Sequence, residues 1–169
     1  HLHKWSYPDL FINAPTLEYM MEQCQSLKVL SLNNVKIDEN HCRVLGDYSR
    51  PGLEIELEGC HFTSAGASAL AEILGRNQGP TKLGRCSIDN VVLAEGLRGN
   101  SRLESLRPLF SNISEVRNRQ VLAYTRALRE NLGVVGLNLS DCFLSDKVWG
   151  AICDSLESHP TIAVLDLRW

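Results

Sequence analysis

Apolar residues recur along this chain in a short alternating unit followed by a longer helical one. The clearest case runs from Leu132 to Leu144. With Val134 as position 1, Leu137 falls at position 4, Leu139 at 6, Cys142 at 9 and Leu144 at 11. Positions 4 and 6 alternate as a strand does and point to one face. Positions 9 and 11 turn the chain inward, where a small Cys or Asn satisfies the backbone of the neighbouring coil.

The same pattern begins again at Leu2, Leu27, Gly52, Gln78, Leu103 and Ile162. These starts are almost evenly spaced, with the longest step between Leu103 and Val134. Leu2 opens a unit with Trp5 and Tyr7 as the strand pair and Leu10 and Ile12 turning in. Pro8 suits that strand to a sheet edge. Leu27 leads to Leu30, Leu32, Val35 and Ile37, Gly52 to Ile55, Leu57, Cys60 and Phe62, and Gln78 to Thr81, Leu83, Cys86 and Ile88. The unit from Leu103 departs from the pattern. Leu106 fits, but Pro108 takes position 6 and Ser111 position 9. A proline there predicts a kink or an irregular strand. The last unit, from Ile162, shows Leu165 and Leu167 and stops at Trp169.

Between the strands lie segments with helical punctuation. Thr63-Ser64 precede a helix with Leu70, Ile73 and Leu74 on one face, and Ser145 precedes one with Val148, Ile152 and Leu156. Ser114 is expected to cap a longer segment through Val121, Leu122 and Leu128, which accounts for the longest spacing. Thr16, Asp38 and Asp89 are expected to open the others, and exits fall at Asn77, Asn100, Asn131 and His159-Pro160.

A near-constant period of strand plus helix resembles the ribonuclease-inhibitor class of leucine-rich repeats, most plainly over Leu27–Ile37, Ile55–Leu74 and Leu137–Leu156. The resemblance implies an α/β fold: a right-handed leucine-rich-repeat solenoid, or horseshoe, of about seven repeats. Its parallel sheet would be concave and its helices convex. It also implies recognition of a protein partner. Residues 1–169 read as a single repeat domain, truncated at one or both ends, because the final apolar strand has no polar cap.

Composition narrows the function. Apolar residues make up 44%, enough for a continuous core, and the net charge of −3 recruits neither nucleic acid nor an anionic membrane. No apolar run approaches the roughly 18 residues a membrane span needs. Of six cysteines, Cys60, Cys86 and Cys142 occupy position 9 and Cys24, Cys42 and Cys153 fall in helical segments. Free thiols and a cytoplasmic setting are therefore expected.

Catalytic motifs are missing from the sequence. There is no Gly-x-Ser-x-Gly elbow, His-Glu-x-x-His helix or Cys-x-x-Cys pair. Gly75–Lys82 has the wrong glycine spacing for a phosphate loop and reads as a turn. Cys60-His61 and His41-Cys42 lack the further ligands that zinc requires. The expectation is therefore a non-catalytic protein–protein interaction module with no cofactor, no metal and no small-molecule substrate. Alternatives are a GTPase-activating accessory role, as in Ran GTPase-activating proteins of this repeat class, or a structural subunit of a larger complex.

Position 5 across the units reads Ser6, Ser31, Glu56, Lys82, Arg107, Asn138 and Asp166. Glu54, Glu56 and Glu58 place three carboxylates on one strand, beside Lys82, Arg85 and Arg107 in the next two units. These six residues form the candidate partner-binding strip, with Glu56 and Lys82 expected to pair across adjacent strands.

Overall fold

The computed structural model describes the backbone of residues 4–8, and residues 12–168 apart from 143 and 158. Leu2, Leu10 and Trp169, all assigned above to the repeat pattern, lie outside the described residues.

Strands and helices alternate: β1 (Lys4–Pro8), α1 (Ala14–Gln23), β2 (Val29–Asn33), β3 (Lys36–Ile37), α2 (Glu39–Asp47), β4 (Glu54–Glu58), β5 (His61–Phe62), α3 (Ser64–Gly75), β6 (Lys82–Gly84), α4 (Asn90–Leu97), β7 (Ser105–Arg107), α5 (Ser114–Leu128), β8 (Gly136–Asn138), α6 (Asp146–Leu156) and β9 (Val164–Asp166). Seven strands form one sheet in the order β1-β2-β4-β6-β7-β8-β9, and every neighbouring pair is parallel. β3 and β5 make a second small parallel pair, continued by a bridge from His61 to Ser87. Parallel neighbours need a crossover, and a helix supplies each one. The protein is thus α/β with a parallel sheet, and β1, which contains Pro8, lies at its edge.

The alternation in β4, Glu-Ile-Glu-Leu-Glu, decides its orientation. Ile55 and Leu57 are buried, while Glu54 and Glu58 are exposed. Leu30, Leu32, Leu83, Leu106 and Leu137 share one core with Leu17, Leu45, Leu70, Leu93 and Leu128 from the helices. Each such side chain contributes about 1.5–3 kcal/mol on burial. The units starting at Gly52 and Gln78 each open inward one residue late. Leu53, and Gly79 with Pro80, are the buried residues there, whereas Gly52 is exposed with φ +78° in a turn.

Two expected caps also move. Asn13, not Thr16, caps α1, its Oδ1 accepting from the Thr16 N–H at 2.9 Å. Ile113 rather than Ser114 occupies the cap position of α5 and makes no side-chain bond. Ser111 holds the turn instead, its hydroxyl accepting from the Ile113 N–H. Asp38, Thr63 and Asp89 cap as expected.

The largest departure is in register. The repeat pattern places Leu83 opposite Pro108, but Leu83 pairs with Leu106 and Lys82 with Ser105. Proline has no N–H to donate, so it is tolerated on the edge strand β1 but does not extend the ladder of a strand with neighbours on both sides. The strand stops at Arg107 and slides by two residues. A two-residue slide keeps every side chain on its own face, because the strand period is two. Leu106 and Pro108 accordingly remain buried. β8 and β9 follow the shifted register, Leu106 facing Leu137 and Leu137 facing Leu165.

Buried amides join successive turns. Asn100 and Asn131 are wholly buried. The Asn100 amide donates to the Leu74 carbonyl at 2.6 Å while its oxygen accepts from the N–H groups of Arg102 and Leu103. Asn131 repeats this one turn on, donating to the Leu97 and Asn100 carbonyls and accepting from Gly133 and Val134. His159 occupies the next such position, with Nδ1 accepting from Thr161 and Ile162.

Candidate partner-binding face

The sheet face away from the core carries the polar members of each strand. On β4 these are Glu54, Glu56 and Glu58, brought to one side by the two-residue period. Lys82 of β6 lies directly across from Glu56. Its ammonium bridges two carboxylates, reaching Glu56 Oε1 at 2.8 Å and Glu54 Oε2 at 3.0 Å. Those bonds, to Glu56 first and Glu54 second, hold the Lys82 pKa above its ordinary value. All three side chains reach water, so the bridge is worth about 0–1 kcal/mol and orders side chains more than it stabilises the fold.

Glu58 differs. Its carboxylate lies over Gly84, which has no side chain to oppose it, and no ion pair reaches it among the described residues. Glu58, Gly84 and Arg107 share one row across β4, β6 and β7. The expected row of position-5 residues is therefore corrected from its fifth member onward, Asn138 and Asp166 following Arg107. Ser105, not Arg107, faces Lys82, and the slide at Pro108 carries Arg107 one row along. A groove of about 410 Å³ runs over Glu56, Glu58, Lys82, Gly84 and Arg107.

Arg107 turns to the next unit. Its Nη2 donates to Ser140 Oγ at 3.0 Å and lies 3.5 Å from Asp141 Oδ2. Ser140 and Asp141 fall at positions 7 and 8 of the clearest unit, which the strand pattern turns to the partner-facing side, though neither is among the six candidate residues. Further along, the Asn138 amide donates to Asp166 at 3.0 Å. The Asp166 carboxyl, hydrogen-bonded by Arg168, is held down at about 2.

Arg85 does not belong to this face. It lies in the turn after β6, exposed, with φ +49°, and lines a separate cleft with Arg107. The six candidate residues thus divide. Glu54, Glu56, Glu58 and Lys82 form one connected strip, Arg107 stands at its end, and Arg85 is outside it.

No protein-family model matches the chain, and no curated protein matches it.

Among the described residues, no group of three His, Cys, Asp or Glu is placed to hold a metal ion, and no helix is long and apolar enough to cross a membrane. Cys60 is buried beside an exposed His61, so the two side chains diverge. All six cysteines are free thiols. Burial pushes the Cys42 thiol up to about 12, and the adjoining Cys60 thiol, together with burial, pushes Cys86 up further. Neither is a ready nucleophile.

Proposed function

We propose that this chain is a right-handed leucine-rich-repeat solenoid of about seven repeats, of the ribonuclease-inhibitor type, serving in the cytoplasm as a non-catalytic module that binds a protein partner. The observation that carries this reading is the β4–β6 strip. Strands laid side by side in chain order present an open polar face. On that face Glu58 has no ion-pair partner among the described residues, while Glu54 and Glu56 share one lysine. An acidic strip of this kind attracts a basic surface and speeds its docking. The groove over it is open and polar, the form of a docking surface more than of an enclosed substrate pocket.

The test is capture on the immobilised chain from a native extract, run beside a Glu56→Lys, Glu58→Lys variant. A partner that elutes with moderate salt and is lost in the variant supports the strip as the site. Capture that is unchanged in the variant refutes it. Adding the chain to a panel of small GTPases should leave phosphate release unchanged, and an accelerated release would replace this reading with the GTPase-activating one.

A further inference from the structure

A second cleft, of about 210 Å³, lies at the ends of β6, β7 and β8, against the start of α5. It is distinct from the β4 strip in charge. Three guanidinium groups line it, from Arg85, Arg107 and Arg117, against one carboxylate, Asp141, leaving an excess of two positive charges. Gathering like charges in a cleft is costly unless an anion offsets them.

Three observations single out these arginines. Arg117 reaches from α5 with Nη1 near the Ser111 and Asn112 carbonyls at 3.5 and 3.4 Å, yet its Nε is buried with no hydrogen-bond partner among the described residues. A buried donor without a partner is rare and calls for one. Arg85, the second, has no ion pair among the described residues and sits in a left-handed turn. Other turns after strands carry Asn34, Gly59 and Asp141 with φ of 56°, 63° and 60°. Those residue types tolerate this conformation. Arg85 adopts it too, with φ 49°. A local strain is accepted there, and it keeps a guanidinium at the cleft. Finally, Arg107 and Arg117 line the cleft together beside Cys142, which places the two charges around one part of the lining.

We infer that this cleft binds a phosphomonoester, its dianion answering the two excess positive charges and its oxygens taking the open donors of Arg85 and Arg117. The volume admits about seven waters at roughly 30 Å³ each, ample for one phosphoryl group. Guanidinium forks match phosphate oxygens two at a time, which a lysine cluster would not do. A carboxylate would leave one positive charge unanswered. The phosphomonoester belongs either to a small molecule or to a phosphorylated side chain. The inference does not rest on the β4 strip, because Glu56→Lys, Glu58→Lys leaves Arg85, Arg117 and Asp141 untouched.

Calorimetric titration of the full chain with phenyl phosphate tests it, beside phenyl sulfate, which carries one charge, and a short phosphoserine peptide with its unphosphorylated form. Phenyl phosphate is expected to bind about tenfold more tightly than phenyl sulfate. Arg85→Asn should weaken phenyl phosphate about tenfold while leaving the melting temperature unchanged or higher, since asparagine suits the turn. Arg117→Gln should weaken it by about tenfold or more, because a charged hydrogen bond of this kind carries about that factor. Arg98→Gln, outside the cleft, should change nothing. A phosphoserine peptide that outbinds phenyl phosphate assigns the ester to a partner's side chain, and equal affinity assigns it to a small molecule. Absence of phenyl phosphate binding, equal binding of phenyl sulfate, or binding indifferent to Arg85→Asn overturns the inference.

Discussion

The sheet is built to different depths on its two sides. β1, β2 and β4 pair along five residues each, and β3 and β5 add a second line of parallel pairing beyond the turn. From β6 onward, each pair matches only two or three residues. The core outlasts the longer ladder: in one row Leu57 is 1% exposed and Leu83, Leu106 and Leu137 stay buried, and only Leu165, on the last strand, is 42% exposed. Both sides carry the same alternation of apolar residues. What differs is whether each residue of a strand can donate a hydrogen bond and whether another layer lies over it. Pro108 fails the first condition, and β9 lacks a neighbour beyond it among the described residues.

That contrast can be broken most directly at Leu57 and Leu165. Leu57→Ala should cost about 2–5 kcal/mol, as for a leucine enclosed on all sides. Leu165→Ala should cost less than about 1 kcal/mol, since much of its surface is already in water. Chemical denaturation of both variants measures the difference, and equal losses would mean that the two ends are equally packed.

Next in size is Asn131→Ala. It leaves the Gly133 and Val134 N–H groups without their acceptor and takes one of two donors from the Leu97 and Asn100 carbonyls, which keep the Asn100 and Leu132 N–H groups. A loss of about 2–4 kcal/mol is expected, from the desolvation of buried groups left unpaired. A loss below about 1 kcal/mol in the same denaturation assay would show that water replaces the amide there.

His159 sharpens the comparison with a pH readout. It takes the place of Asn131 one unit later, but with a group that titrates. Burial lowers its pKa below the ordinary 6.5, and Nδ1 must stay unprotonated to accept from Thr161 and Ile162. A folded pKa below the unfolded one means that the unfolded chain binds more protons in acid. Its contribution is therefore complete above about 6.5 and is lost as the pH falls below it. His159→Asn should keep the two acceptor bonds and flatten that part of the stability profile. Thermal melts from neutral to mildly acidic pH decide this, and an unchanged acid loss in the variant would assign it to another group.

The smallest effect is expected at Lys82→Ala, about 0–1 kcal/mol, because its bridge to Glu54 and Glu56 is exposed. Its consequence should appear in binding, where the freed carboxylates steepen the salt dependence of any basic partner. A salt dependence identical to that of the parent chain would remove the strip from the docking surface.

The sequence by itself determined the period of strand and helix, the inward face of each strand and the pairing of Glu56 with Lys82. All three follow from local rules: side chains alternate along a strand, and a fixed repeat length lines up equal positions. The tertiary structure alone decided the slide at Pro108, since register depends on which neighbour's groups are free to bond and the slide preserves the alternation that sequence reads. It therefore moved Arg107 one row and gathered Arg85, Arg107 and Arg117 around one cleft. Arg117 has no place in the strand pattern, and the left-handed position at Arg85 is neither the Gly nor the Asn that usually marks one. Neither could be read from spacing, because what joins them is the crossing of a long helix over strand ends that a proline has cut short.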